Sequence, residues 1–128
     1  MLALGIAVAT VAAFIASSVY YVVATPLERR VVGPAALDRG SPTPAKAVTE
    51  LLRTAVVAGV MAWLAGQAHL TALPQTLLLA LVAWVGFPAV LLTGSILWER
   101  VHPFTAAMHA GDWLIKLLLV GTALGLLQ

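Results

Sequence analysis

The chain contains no cysteine and very few charged residues. Its 128 residues include seven Lys or Arg and five Asp or Glu, which together make up 9% of the sequence. A soluble domain is about 25% charged, so this composition excludes the charged shell of a soluble protein. Without cysteine there is no disulfide framework, no thiolate nucleophile and no thiolate metal site. The net charge of +2 is too small to indicate a nucleic-acid partner.

Hydrophobic residues account for 62% of the sequence, and the mean hydropathy is +1.02. They fall into four runs, each about as long as a bilayer-spanning helix requires. These runs cover residues 2–24, 45–70, 75–98 and 104–127. The first run lacks the basic start of a signal peptide, and we interpret it as a retained span. We therefore predict one all-α domain over 1–128, a four-helix bundle that crosses the cytoplasmic membrane four times, with the lipid bilayer as its main partner.

The longest polar stretch, residues 25–44, is predicted to be a cytoplasmic connection without a regular helix. Proline and glycine recur through it, and both residues interrupt helices. Six of the seven Lys and Arg residues lie in or beside this stretch and the short turn at 99–103. The opposite side carries none. The positive-inside rule then places both basic connections in the cytoplasm and both termini outside.

The last run carries a polar stripe formed by His109, Asp112 and Lys116. At helical spacing these three residues fall within an arc of about 60°. Asp112 and Lys116 lie near the bilayer midplane, where a charge costs several kcal/mol unless it is paired. Glu50 and Arg53 lie at similar depth on the second run, counted by helical rise. We therefore expect a buried polar core in which Arg53 pairs with Asp112 and Glu50 pairs with His109. Lys116 is the second choice of partner for Asp112.

Two functions are compatible with this polar core. In the first, the protein is a small module that binds a small molecule or a lipid, or that moves a proton or solute. In the second, it is a structural or accessory subunit whose charges only set helix register. An enzyme is disfavoured, because no serine has a base at motif spacing and no GxSxG or Gly-rich phosphate loop occurs. No HxxxH or HExxH pattern occurs either, so we expect no catalytic residue, metal or cofactor.

Small residues and one proline predict how the helices pack. Small side chains recur every four residues in the first run and form a ridge that another helix can approach closely. The ridge consists of Gly5, Ala9, Ala13 and Ser17. A second small-residue pair, Gly121 and Gly125, lies near the end of the last run, and Pro88 predicts a kink in the third. Close contact along the ridge also makes a homo-oligomer a hypothesis.

Several short runs resemble a known family. They are GSILWER (94–100) and HAGDWLIK (109–116), with further likeness in the Tyr20–Tyr21 pair, ELLR (50–53) and WVGFP (84–88). Together they resemble the family catalogued as domain of unknown function 1761, whose members are small four-helix membrane proteins. The resemblance covers most of the chain outside 25–44. It implies the four-helix architecture and implies no activity. The tyrosine pair closes the first span, where aromatic rings suit the membrane interface.

Overall fold

The computed structural model describes residues 2–33 and 42–127, and these residues are almost entirely helical. The helices are α1 (Leu2–Val32), α2 (Pro44–Gln67), α3 (Leu73–Trp84), α4 (Val90–Trp98) and α5 (Pro103–Leu127). A π-helical turn, Val85–Ala89, joins α3 to α4 without a break, so these two form one span over Leu73–Trp98. Each of the four spans is long and apolar enough to cross a membrane. The predicted all-α, four-span fold class is confirmed.

Helix α1 runs further than its apolar run. It continues through Pro26 and ends at Val32, and Gly33 follows with a φ of 74°, a left-handed conformation common just after helices. Pro26 removes one N–H and therefore one backbone hydrogen bond, but the helix continues past it. The prediction of an irregular connection from residue 25 is therefore wrong over 25–32. Gly33 and residues 42–43 are described and are not α-helical, whereas residues 34–41 lie outside the described residues.

The third span is irregular around Pro88. The sequence predicts a kink at this residue, and the structure places Pro88 inside the π-helical turn Val85–Ala89. A π-turn widens the helix by one residue, and this accommodates proline, which has no N–H to donate. The turn lies halfway along the span, and Phe87 next to the proline is largely exposed on the outside of the bundle.

Helix α5 is the central helix of the bundle, because α1 and α3 both pack against it extensively. Gly121 and Gly125 allow the close approach of α3. A Cβ added to Gly121 would lie 2.8 Å from the backbone oxygen of Thr76, and one added to Gly125 would lie 2.8 Å from the Cα of Leu73. The Thr76 hydroxyl also donates a hydrogen bond to the Gly121 carbonyl, at 2.7 Å. Glycine is therefore required at Gly121 and Gly125 by contact with the neighbouring backbone.

The small-residue ridge of α1 lies on the buried side of that helix. Its members, Gly5, Ala9, Ala13 and Ser17, are all buried within the chain. A Cβ added to Gly5 would lie 3.7 Å from the Leu124 side chain of α5. The ridge thus contacts helices of its own chain, and a second copy of the protein would have to bind another face.

Candidate functional site

The polar stripe of α5 faces the interior of the bundle. Asp112 is 2% exposed and Lys116 is 5% exposed, so both ionisable side chains are buried within the bundle. Lys116 Nζ lies 3.0 Å from Asp112 Oδ2, one helical turn away. The same Nζ lies 3.9 Å from Glu50 Oε2 on α2. Glu50 in turn pairs with Arg53, three residues further along its own helix. A chain of alternating charges therefore runs from the buried Asp112 to the half-exposed Arg53.

The structure corrects the expected pairing. The predicted pair of Arg53 with Asp112 is wrong, because Asp112 is paired with Lys116 and Arg53 with Glu50. Each observed partner is on the same helix at three or four residues, where the side chains are neighbours. His109, which was expected to pair with Glu50, has the Tyr21 hydroxyl 2.6 Å from its Nδ1.

These groups border a cavity of about 410 Å³ between α1, α2 and α5, which we call the polar cavity. Its volume lies within the range of about 300–1,000 Å³ that is typical of ligand sites. All five predicted polar-core residues line it, so the fold brings them to one place. The complete lining is Phe14, Ser17, Ser18, Tyr21, Glu50, Arg53, Thr54, His109, Asp112, Trp113 and Lys116.

One carboxylate oxygen of Asp112 lacks a hydrogen-bond partner in the part of the chain that the structure describes. Oδ2 binds Lys116, whereas Oδ1 is buried and has no hydrogen-bond partner among the described residues. Leaving a buried acceptor unsatisfied costs about 1–3 kcal/mol, and such atoms are rare in folded proteins. Asp112 Oδ1 can therefore accept one further hydrogen bond, and Asp112 is one of the residues that line the polar cavity.

The two tyrosines that the sequence predicts at the membrane interface both contact α5. The Tyr20 hydroxyl donates to the Met108 carbonyl at 2.7 Å, and Tyr21 contacts His109. The Tyr20 hydroxyl also lies over Gly111, where an added Cβ would be only 2.5 Å from it. These contacts fix the rotation of α5 relative to α1, and so they position the polar stripe towards the cavity.

Glu28 is a buried polar residue that sequence reasoning missed. It is 0% exposed, and one of its carboxylate oxygens accepts a hydrogen bond from the Thr105 hydroxyl at 2.8 Å. Sequence reasoning placed Glu28 in the connection and gave it no role. A signal was available, because Ser17, Tyr21 and Glu28 share one face once the helix is extended past Pro26.

Comparison with known protein families gives a match over most of the chain. The family model described as "Protein of unknown function (DUF1761)" matches residues 4–125. No curated protein and no solved structure matches the chain. The resemblance drawn from the short sequence runs is confirmed.

Proposed function

Since the chain belongs to the DUF1761 family, whose description states no activity, we propose a function from the site itself. The protein is a membrane-embedded binding module that holds a small polar group in the polar cavity between α1, α2 and α5. The observation that carries this proposal is the cavity of about 410 Å³ bordered by ionisable side chains.

The competing function, a structural subunit whose charges only set helix register, requires charges that are dry and fully paired. A purely structural ion pair does not require a cavity beside it, because apolar side chains that filled this cavity would stabilise the bundle better than the empty space does. The unsatisfied Asp112 Oδ1 supports the binding function for the same reason, since a ligand or water is needed to complete its hydrogen bonding.

The lining groups supply both donors and acceptors to an occupant. Asp112 and Lys116 form the buried end of the cavity, and both are almost fully enclosed. Glu50 and Arg53 lie at the more exposed end, with side chains 41% and 58% exposed. A polar group that enters past α2 would meet the exposed pair first and the enclosed pair last.

The absence of native cysteine allows a direct test by single-cysteine labelling. Ser18 lines the polar cavity, whereas Ile15 and Val22 flank it on α1, are strongly exposed and lie outside the lining. Each of the three is replaced by cysteine in protein reconstituted into lipid nanodiscs. The nanodiscs are then treated with a charged methanethiosulfonate reagent, which reacts with the thiolate and therefore needs water at the thiol.

We expect the Ser18→Cys thiol to react and the Ile15→Cys and Val22→Cys thiols to stay unmodified. Mass spectrometry of the intact protein counts the modification. If Ser18→Cys reacts no faster than the two flanking variants, polar molecules do not enter the cavity and the structural function is preferred. Matching elution on size-exclusion chromatography controls for the fold of all three variants.

A further inference from the structure

A second cavity adjoins the polar cavity and has a different character. It has a volume of about 500 Å³ and lies between α2, the α3–α4 span and α5. Apart from Arg53, aliphatic and aromatic side chains such as Val60, Phe87 and Leu91 line it. We call it the apolar groove. Arg53 and Trp113 line both the polar cavity and the apolar groove, so the two spaces are neighbours on either side of these side chains.

The apolar groove exists because α2 packs mainly against α1 and only sparsely against α3. Its walls are open to the surroundings, since Val60 is 50% exposed, Phe87 66% and Leu91 70%. Within a bilayer such a groove is filled by hydrocarbon, because exposed apolar side chains and lipid chains share one environment. A chain lying in the groove would point its end towards Arg53 and the polar cavity.

We propose that a lipid alcohol occupies the two neighbouring cavities, with the Arg53 and Trp113 side chains beside the point where it passes from one to the other. Its uncharged, hydroxyl-bearing head lies in the polar cavity beside Asp112, and its hydrocarbon chain lies in the apolar groove. This assignment rests on the proposed function, because it names the class of ligand that the polar cavity binds.

Charge balance argues for an uncharged head. Glu50 and Asp112 oppose Arg53 and Lys116 in the cavity, and all four already pair with one another. A phosphate head would have to displace a carboxylate from its cation, and an ammonium head would have to displace a cation. Depth argues the same way, because Arg53 lies roughly 13 Å along α2 from Pro44 and a charge is costly that far into the membrane.

The unsatisfied oxygen argues for a hydroxyl group. An ionised carboxylate has acceptors and no donor, so the lipid head must donate the hydrogen bond that Asp112 Oδ1 lacks. An ester or a ketone has acceptors alone and would leave this oxygen unsatisfied. An alcohol donates to Asp112 and still accepts from a donor such as Lys116 Nζ.

The test uses a monoacylglycerol that carries a diazirine in its chain and a terminal alkyne. The wild-type protein is photolabelled in nanodiscs, and the modified peptides are identified by mass spectrometry. We expect labelling to concentrate on the groove residues of α2 and α4 relative to the outer face of α1. A lysophosphatidylcholine probe with the same chain should label the helices without this preference. Excess unlabelled monoacylglycerol should compete and excess lysophosphatidylcholine should not. Equal enrichment or equal competition by the zwitterionic lysophosphatidylcholine would overturn the assignment of the head.

Two tryptophan variants, each of which fills one of the two cavities, test the position of the hydrocarbon chain and the position of the head independently. Val60→Trp fills the apolar groove, and Val48→Trp is its matched control on an exposed part of α2 outside the groove. Val60→Trp should reduce groove labelling about tenfold, the effect of excluding roughly two methylene groups. Ser18→Trp, which fills the polar cavity, should reduce it as well. Loss with Ser18→Trp but not with Val60→Trp would overturn the place of the chain and leave the proposed function standing. Unchanged labelling in both variants, with wild-type elution, would overturn the assignment of a lipid alcohol, whereas the reactivity of Ser18→Cys decides the proposed function.

Discussion

Replacing Lys116 with methionine should destabilise the protein more than replacing Asp112 with asparagine. In the described part of the chain, Asp112 forms its ion pair with Lys116, and its second oxygen has no hydrogen-bond partner. Lys116, in contrast, also lies 3.9 Å from Glu50 and 4.8 Å above the centre of the Trp113 ring. Loss of the lysine therefore strands the aspartate, whereas loss of the aspartate charge leaves the lysine with other partners.

The expected magnitudes follow from this asymmetry. Leaving one buried charge without its partner costs about 3–5 kcal/mol, and Lys116→Met should reach this range because Asp112 is 2% exposed. Asp112→Asn keeps the shape of the side chain and should cost about 1–3 kcal/mol, the range for a lost buried hydrogen bond. The double variant removes both charges, so its loss should fall short of the sum by about 2 kcal/mol or more.

The free energy of unfolding is measured by equilibrium steric trapping in bicelles for the wild type, both single variants and the double variant. Lys46→Met is the matched control, since Lys46 is exposed at the start of α2 and its replacement should cost less than about 1 kcal/mol. Losses that add to within about 0.5 kcal/mol would show that Asp112 and Lys116 do not stabilise one another. A Lys116→Met variant as stable as the control would refute the buried-charge argument altogether.

Three further predictions concern packing, a buried carboxylate and topology. Gly121→Ala should lower the free energy of unfolding by about 1–3 kcal/mol through overpacking. Its control is Gly59→Ala, where an added Cβ meets nothing within 4 Å, and this change should be neutral or stabilising. Equal effects of the two variants in steric trapping would contradict the close helix contact. Glu28→Leu should lower the melting temperature in detergent more than Glu28→Gln, because only glutamine retains an acceptor for the buried Thr105 hydroxyl. Identical melting temperatures of the two variants would show that this hydrogen bond contributes nothing. Membrane-impermeant labelling of intact cells should modify His69→Cys and spare Arg100→Cys, as the distribution of basic residues predicts; the reverse pattern would invert the topology.

The number and approximate extent of the spans could be predicted from the sequence because lipid offers the backbone no hydrogen bonds. A chain must therefore cross as complete helices, and each apolar run becomes one. The relative level of side chains along the bundle was predictable because the rise of a helix per residue is constant. Glu50, Arg53, Asp112 and Lys116 were placed at similar levels, and all four line one cavity.

The pairing of these charges was decided by the tertiary structure. Rise along a helix states how deep a side chain lies, but not how each helix is rotated or how far apart two helices stand. Hydrogen bonds from Tyr20 and Trp84 to backbone carbonyls of α5 help to set that rotation, and they join residues 88 and 26 positions apart. Such contacts leave no local pattern in the sequence.

The continuation of α1 past Pro26 has a similar explanation. Proline is a reliable local signal for the loss of one hydrogen bond, but the helix continues if the tertiary contacts of later residues offset that loss. Here Glu28 is fully buried and accepts a hydrogen bond from Thr105 on α5. The sequence alone therefore determined four helices long and apolar enough to span a membrane, and a polar stripe on the last of them. Helix rotation, the partner of each charge and the cavity beside them depended on contacts between distant residues, whose energies only the folded chain brings together.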